Sequence, residues 1–289
     1  MSYKIIVDTG SNFTAELGKK YNVDVLRMPV QYEDENGNIS PWDGIDYTMF
    51  YEMLRNKVKI TTSCISYDNY YNSFEEHLKN GTDILYVGFS SALSATYQNS
   101  LLAAEDLKEK YPERKIYVVD SLCAALGCGL LIIYATQKRD SGLSIEELND
   151  WIIDNRLNVC HWFTVDDLFF LKRGGRLQAG TAVVGSILSI KPIMHVDNEG
   201  RLIPVSKVRG RNSSLTELVN RMEQNVFSDV KGQKICISHG DCIEDAQKVA
   251  QLVKDKFSVE DILIENLDPL VSAHSGPGTV ALFFMGEKR

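Results

Sequence analysis

The sequence predicts an α/β protein with two domains: an N-terminal domain with a doubly wound parallel sheet over residues 1–155, and a C-terminal α+β domain with a mixed sheet over residues 156–289. The length of 289 residues is about twice that of a typical domain. The first half alternates short apolar runs with helical segments, as buried parallel strands joined by right-handed crossovers do. In the second half, two apolar runs flank Asp197-Asn198-Glu199-Gly200, which predicts an antiparallel hairpin.

In the first half, strands are predicted where a short apolar run ends in turn residues, and helices where a capping residue precedes a segment of helical period. The predicted strands are Tyr3–Asp8, Val23–Tyr32, Asp83–Phe89 and Lys115–Asp120. The predicted helices are Thr14–Tyr21, Asp46–Asn56, Tyr67–Asn80, Ala92–Lys110 and Leu122–Thr136, followed by one that opens with the capping box Ser144-Ile-Glu-Glu147.

In the second half, the predicted strands and helices alternate less regularly. The predicted strands are Asn158–Val165, Ile190–Val196, Arg201–Val208, Lys234–Ser238 and Asp261–Glu265. The predicted helices are Asp166–Lys172, Ser213–Val226 and Ile243–Phe257. The change of pattern near residue 155 sets the predicted domain boundary.

The charge and the apolar pattern exclude several classes of protein. The chain has 31 Lys and Arg against 39 Asp and Glu, whereas a general nucleic-acid binder needs an electropositive face. The longest nearly apolar run, Leu122–Ala135, is shorter than the roughly 20 residues that cross a bilayer and predicts a buried helix. Because the N-terminus lacks a signal-peptide pattern and the six cysteines form no CxxC pair, we expect a cytoplasmic protein with reduced cysteines.

Familiar cofactor and metal motifs are missing from the sequence. It contains no GxxxxGK(S/T), no GxGxxG after a strand and no HExxH. The spacing of His239, Asp241 and Cys242 matches no familiar zinc pattern. We therefore predict neither a cofactor nor a metal ion.

Hydroxyl side chains cluster where predicted strands meet predicted helices, at Thr61–Ser63, Ser90–Thr96 and Asp120–Ser121. Ligands collect at the carboxyl ends of parallel strands, and helix N-termini there offer N–H groups and a positive dipole end. These clusters predict a site for a carboxylate or a phosphate. The alternative is that the Ser and Thr side chains only cap their helices.

Two further features point to an anionic partner. The segment Ala273–Thr279 places His274 beside a Gly-Pro-Gly turn, where the ring can donate a hydrogen bond to a bound anion. Basic islands lie at Leu171–Arg176 and Lys207–Arg211, and positive charge concentrated on an acidic chain suits phosphate or lipid headgroups. A structural histidine and solvated loop charges are the alternatives.

A serine esterase or thioesterase is the main alternative function. Gly88-Phe-Ser90-Ser-Ala92 differs from the nucleophile-elbow pattern GxSxG only in its last residue. In that reading Ser90, Ser91 or Ser94 is the nucleophile, and His239 or His274 is the base.

Taken in order along the chain, these motifs resemble those of the DegV family, and the correspondence covers essentially the whole chain. The motifs are Asp8-Thr-Gly-Ser11, Thr61-Thr62-Ser63, Ser90-Ser91-Ala-Leu-Ser94-Ala-Thr96-Tyr97-Gln98, Asp120-Ser121, Leu171-Lys-Arg-Gly-Gly-Arg176, Ile190-Lys-Pro-Ile193, Lys207-Val-Arg209-Gly210 and His274-Ser-Gly-Pro-Gly278. The sequence departs from the family at Ala95, where a glycine is usual.

The resemblance implies a protein that binds one long-chain fatty acid, with the carboxylate at the domain interface and the acyl chain in a buried tunnel. It implies that the carboxylate is bound by Thr62, Ser63, Ser94 and His274. It implies that Arg176 and Arg209 contact the acyl-phosphate, a separate ATP-dependent fatty acid kinase subunit or a membrane surface. The chain itself is then a carrier and not an enzyme. A carrier of some other anionic lipid is a third possibility.

The energetics agree with such a ligand. Each buried methylene contributes roughly 0.8 kcal/mol, so a long acyl chain offers on the order of 10 kcal/mol, against about 1–3 kcal/mol from a headgroup contact. We therefore expect the tail to set affinity and the hydroxyl groups to set orientation. The resemblance favours a tail-binding site in the second half of the sequence, where apolar side chains are abundant. The alternative is that these side chains only form an ordinary core. They are Phe163, Leu168, Phe169, Val183, Val184, Ile187, Leu188, Ile190, Ile193, Phe283 and Phe284.

Overall fold

The computed structural model describes residues 3–44, 46–177 and 189–289. The chain divides into two compact units, one of Met1–Pro29 and Ser63–Leu157 and the other of Val30–Thr62 and Asn158–Arg289. The division predicted at residue 155 lies close to the point between Leu157 and Asn158 where the polypeptide passes from the first unit to the second for the last time. The sequence did not predict that Val30–Thr62, from the N-terminal half, belongs to the second unit.

The strands and helices of the described residues are as follows. The strands are β1 (Tyr3–Asp8), β2 (Val23–Leu26), β3 (Val30–Glu33), β4 (Ile39–Pro41), β5 (Lys59–Thr62), β6 (Asp83–Gly88), β7 (Ile116–Asp120), β8 (Val159–Thr164), β9 (Ile190–Val196), β10 (Leu202–Arg209), β11 (Ile235–His239), β12 (Ile262–Asn266) and β13 (Val280–Met285). The helices are α1 (Ala15–Tyr21), α2 (Tyr47–Arg55), α3 (Tyr67–Lys79), α4 (Thr96–Lys110), α5 (Ala125–Asp140), α6 (Ile145–Asn155), α7 (Phe169–Arg173), α8 (Arg211–Asn225), α9 (Ile243–Phe257) and α10 (Pro269–Ser275).

The first unit is built on a four-stranded parallel sheet with the strand order β2-β1-β6-β7. Every residue of β6 is buried, as the continuous apolar run predicted. Because the strands are parallel and in register, Asp8, Gly88 and Asp120 end β1, β6 and β7 at the same edge of the sheet. The parallel sheet predicted for the N-terminal part is confirmed.

The helices of the first unit begin mostly where capping residues predicted. Thr14 Oγ1 accepts a hydrogen bond from Leu17 N, and the capping box at Ser144 and Glu147 is formed. Helix α4 begins at Thr96 and not at the predicted Ala92, because the preceding residues form a turn. The predicted apolar helix is α5, which begins at Ala125 and not at Leu122, and 11 of its 16 residues are buried. Within the described ranges, no helix is long and apolar enough to cross a membrane.

The second unit contains a six-stranded mixed sheet with the order β10-β9-β8-β13-β11-β12. Only β11 and β12 pair in parallel among these described strands, and β9 and β10 form the predicted antiparallel hairpin. Helices α8 and α9 pack on one face of the sheet around a core that includes Trp162, Ile237 and Leu282. The mixed sheet predicted for the C-terminal part is confirmed, but its central strand β13 was not predicted.

The inserted segment Val30–Thr62 forms a three-stranded antiparallel sheet, β4-β3-β5, with α2. The single strand predicted over Val23–Tyr32 was therefore wrong, because two short strands in different sheets replace it. The break has a local cause: Met28 N donates to Thr9 Oγ1 at 3.1 Å, and Pro29 has no N–H to continue a ladder. The segment that follows the break belongs to the second unit, and Thr62, the last residue of β5, belongs to it as well.

Candidate functional site

Thr62 and His274 meet within the second unit. Thr62 is the last residue of β5, opposite Val30 of β3, and His274 belongs to α10. Although 212 residues separate them along the chain, Thr62 Oγ1 lies 2.7 Å from His274 Nε2. A second hydrogen bond, 2.6 Å between Tyr51 Oη of α2 and Ser272 Oγ, ties the inserted segment to α10. The inserted segment therefore supplies one member of the pair and supports the helix that carries the other.

His274 is neutral at physiological pH. Burial, and after it the positive charges of Arg176 and Arg173, lower the pKa of the ring to about 4. Its Nδ1 is buried and has no hydrogen-bond partner among the described residues. A Cβ added at Gly174 would collide with this Nδ1. The ring is thus packed between Thr62 and the backbone of Gly174.

These contacts indicate which ring nitrogen carries the proton. A buried N–H without an acceptor is rarer in proteins than a buried acceptor without a donor. We therefore assign the proton to Nε2, which then donates to Thr62 Oγ1. Since the oxygen of Thr62 accepts from the ring, its own hydroxyl proton is available to donate to a ligand.

Ser94 has the same arrangement in the first unit. It lies in the turn before α4, where Thr96 N donates to Ser94 Oγ at 3.2 Å. A protein donor again occupies a lone pair of the hydroxyl oxygen and leaves the proton available. Ser63 follows Thr62 but belongs to the first unit; its side chain is exposed, and its N–H donates to Pro29 O at 3.1 Å.

The backbone amides after β6 are occupied by the protein itself. Phe89 N donates to Asp8 Oδ2 at 2.9 Å, and Ser91 N donates to Asp120 Oδ1 at 3.2 Å. Four more amides of the turn have protein acceptors: Ser90 N donates to Cys123 O, Ala92 N to Ser90 Oγ, and Leu93 N and Ser94 N to Ser90 O. The N–H groups of these residues therefore already have protein acceptors, and the adjoining carboxylates oppose a second negative charge there.

The two predicted arginines lie in different surroundings. Arg176 is half-buried, which lowers its pKa, and its guanidinium donates to Gly174 O at 2.5 Å. This places Arg176 beside the residue that packs against His274. Arg209 is exposed at the end of β10, two residues after the exposed Lys207.

The turn at Ser90 does not have the geometry of a nucleophile elbow. Such an elbow presents an exposed serine on a sharp turn directly before a helix. Here Ser90 is fully buried, and α4 begins only at Thr96. The only histidine of the first unit, His77, has its Nε2 2.9 Å from Asp24 Oδ2.

His239, Asp241 and Cys242 do not converge on one site. His239 Nδ1 accepts from Cys242 N at 3.3 Å, and Asp241 pairs with Arg55 at 2.6 Å. No group of three or more potential metal ligands occurs among the residues that the structure describes.

Comparison with known proteins places this arrangement in a family. Residues 2–287 match the family described as "Uncharacterised protein, DegV family". A DegV domain-containing protein of Clostridium perfringens is 38% identical over 291 residues, covering 99% of this chain and 98% of that protein. The chain belongs to the DegV family.

Solved structures of DegV proteins share the fold. A DegV family protein from Thermus thermophilus, described by its fatty acid binding, superposes with a TM-score of 0.86 at 25% identity, over 99% of this chain and 100% of that one. A DegV lipid-binding protein from Thermotoga maritima gives a TM-score of 0.84 at 25% identity, over 100% of both chains. The resemblance inferred from the sequence motifs is confirmed.

The apolar side chains expected to contact a lipid tail fall into several groups in this DegV chain. Ile193 and Phe284 belong to the core under α8 and α9. Phe163 and Phe283 are also buried, whereas Phe169 and Ile190 are exposed and Leu168 is half-buried. Val183, Val184, Ile187 and Leu188 lie outside the described residues.

The sequence did not single out two residues that shape the surroundings of Thr62 and His274. Gly174 leaves the space that the His274 ring occupies, and Tyr51 anchors α10 through Ser272. The Gly174-Gly175 pair inside the basic island was a signal of close backbone approach. Nothing in the sequence around Tyr51 indicates its partner, because the bond spans 221 residues.

Proposed function

We propose that this chain is a carrier that binds one long-chain fatty acid, whose carboxylate accepts hydrogen bonds from Thr62 and Ser94 while His274 orients Thr62. Ser63 is the adjacent contributor that the family motif suggests. Support comes from the fatty acid binding of the Thermus thermophilus relative. The observation that carries the proposal is the 2.7 Å bond between Thr62 and a neutral His274, which leaves a hydroxyl proton for an acid group.

The charge around His274 supports an anionic ligand. Arg176 and Arg173 both lower the pKa of the ring, so the field at this position is positive. The same field stabilises a carboxylate placed near the Thr62 hydroxyl group. Neutral donors backed by positive charge therefore favour the ionised acid over an ester or an alcohol of the same length.

We further propose that the carrier presents the carboxylate to a separate ATP-dependent kinase subunit and exchanges its lipid at a membrane surface. A carboxylate bound by hydroxyl groups keeps lone pairs with which an oxygen can attack the γ-phosphoryl group of ATP, so that an acyl phosphate forms and ADP leaves. The exposed Lys207 and Arg209 offer positive charge to either partner. The motif resemblance suggests both partners.

The first experiment identifies the ligand. Organic extraction of the purified protein followed by mass spectrometry should yield a long-chain fatty acid, and protein stripped of lipid should take up added hexadecanoic acid. A different extracted anionic lipid would replace the fatty acid in the proposal. Protein that is empty and binds no added fatty acid would refute it.

The second experiment tests the headgroup contact. Thr62→Val removes the hydroxyl group at nearly constant size and should weaken hexadecanoic acid binding by about three- to tenfold, the value of one hydrogen bond. Thr61→Val is the matched control, because Thr61 is the exposed neighbour on the same strand. Equal affinities of the two variants would show that Thr62 does not contact the ligand.

A further inference from the structure

A chain of buried hydroxyl groups crosses the first unit from β1 to α4. Tyr86 Oη of β6 donates to Asp8 Oδ2 at 2.5 Å. Tyr70 Oη of α3 lies 2.6 Å from Tyr86 Oη and 2.8 Å from Thr96 Oγ1. All four residues are fully buried. The fatty acid site as proposed above assigns no role to them.

The donors around Asp8 set the direction of this chain. Gly10 N donates to Asp8 Oδ1 at 2.8 Å, and Phe89 N and Tyr86 Oη donate to Oδ2. Because the Tyr86 hydroxyl group donates its proton to Asp8, its oxygen accepts from Tyr70, and the oxygen of Tyr70 in turn accepts from Thr96. The opposite direction would leave the Thr96 proton without an acceptor in the described part of the chain.

The hydrogen-bond chain ends at the two segments of the first unit that carry Ser63 and Ser94. Thr96 Oγ1 accepts from Ile65 N at 3.4 Å, two residues after Ser63. Asn99, one helical turn after Thr96, donates to Ile65 O at 2.7 Å. Thr96 N donates to Ser94 Oγ. The first turn of α4 therefore holds both segments, and the hydroxyl chain fixes the side chain of Thr96.

We propose that Asp8, Tyr86, Tyr70 and Thr96 form a one-directional hydrogen-bond chain that positions Ser63 and Ser94 for the ligand carboxylate. The four residues are positioning residues, since all are fully buried and their three hydroxyl groups have protein partners. The inference rests on the proposed function and adds to it the part of the first unit that determines selectivity for the acid headgroup.

The test compares hexadecanoic acid with hexadecan-1-ol, which has the same tail and no carboxylate. Tyr70→Phe removes both hydroxyl contacts without changing the size of the ring. Tyr67→Phe is the matched control, because Tyr67 also connects α3 to α4. Its hydroxyl group donates to Asp106 at 2.5 Å, and neither residue belongs to the hydrogen-bond chain. We expect the acid-to-alcohol affinity ratio to fall about three- to tenfold in Tyr70→Phe and to stay unchanged in Tyr67→Phe.

The outcomes separate this inference from the proposed function. An unchanged ratio in Tyr70→Phe overturns the inference even where the melting temperature falls, because a purely structural role affects both ligands alike. A wild-type protein that does not prefer the acid overturns the proposed headgroup site itself. If Tyr70→Phe does not fold, Thr96→Ser should keep the wild-type ratio and Thr96→Val should lose it, and equal ratios in these two variants overturn the inference.

Discussion

Replacing Gly174 by alanine tests whether the position of His274 controls ligand binding. Gly174 has φ −74° and ψ −6°, a right-handed conformation that alanine adopts readily. On backbone grounds alone, Gly174→Ala should stabilise the protein by about 0.4–1 kcal/mol. The added Cβ would, however, collide with Nδ1 of His274 and lie 3.2 Å from its Cγ and Cε1. The ring must therefore leave the position in which Nε2 reaches Thr62.

The expected magnitudes follow from these two effects. Loss of the bond between Thr62 and His274 costs about 0.5–1.5 kcal/mol, which offsets the backbone gain. The free energy of unfolding should therefore change little. Affinity for hexadecanoic acid should fall about three- to tenfold, because the Thr62 hydroxyl group is no longer oriented. Competition with a fluorescent fatty acid measures the affinity, and chemical denaturation measures the stability.

The adjacent glycine supplies the control. Gly175 has φ +70°, and an added Cβ there would meet no atom within 4 Å. Gly175→Ala should therefore lower stability by about 1 kcal/mol through backbone strain and leave affinity unchanged. Wild-type affinity in Gly174→Ala, or an equal loss in both variants, would refute the role given to His274.

Two other properties of the site can be measured. Burial lowers the pKa of His274 from 6.5 to about 4, so between these pH values the unfolded chain binds more protons than the folded one. The contribution of this residue to the free energy of unfolding should therefore fall by about 3 kcal/mol as the pH drops from 6.5 to 4. Denaturation of the wild type and of His274→Gln at pH 7.5 and 4.5 should show a smaller acid loss in the variant, and identical losses would contradict the assignment. Arg209→Glu should slow lipid exchange with phosphatidylserine vesicles by roughly tenfold while Arg209→Lys does not, since each basic residue near an anionic surface contributes about 1 kcal/mol. Equal slowing with neutral phosphatidylcholine vesicles would show that Arg209 acts on the tail site and not at a charged surface.

Elements that bury one continuous or periodic set of side chains were predictable from the sequence. Strand β6 and helix α9 follow from their patterns, with α9 at its predicted bounds. Strand β13 shows where this reasoning stops. Its six residues are all apolar and buried, and such a run has the composition of a central strand and of a lipid-binding wall alike. Only the pairing of β13 with β8 and β11 assigns it to the sheet.

The candidate site was predictable as a set of residues but not as a set of bonds. Sequence motifs indicated Thr62 and His274 separately, because each lies in a short recognisable segment. Their mutual hydrogen bond depends on the inserted segment joining the second unit, which no local pattern encodes. The same holds for the turn after β6, where only the register of β1, β6 and β7 shows that Asp8 and Asp120 already occupy its amides.

The occupied amides have a consequence for how a fatty acid would be bound. In many parallel sheets the amides at strand ends bind an anion strongly, but here two carboxylates of the protein take that place. The ligand carboxylate is then left with hydroxyl donors, each worth about 1 kcal/mol, and with the field of Arg173 and Arg176. Affinity must come from the buried tail, at roughly 0.8 kcal/mol for each methylene. Weak headgroup contacts combined with a tightly bound tail suit a carrier, because the acid group could then be exposed to a partner while the acyl chain stays bound.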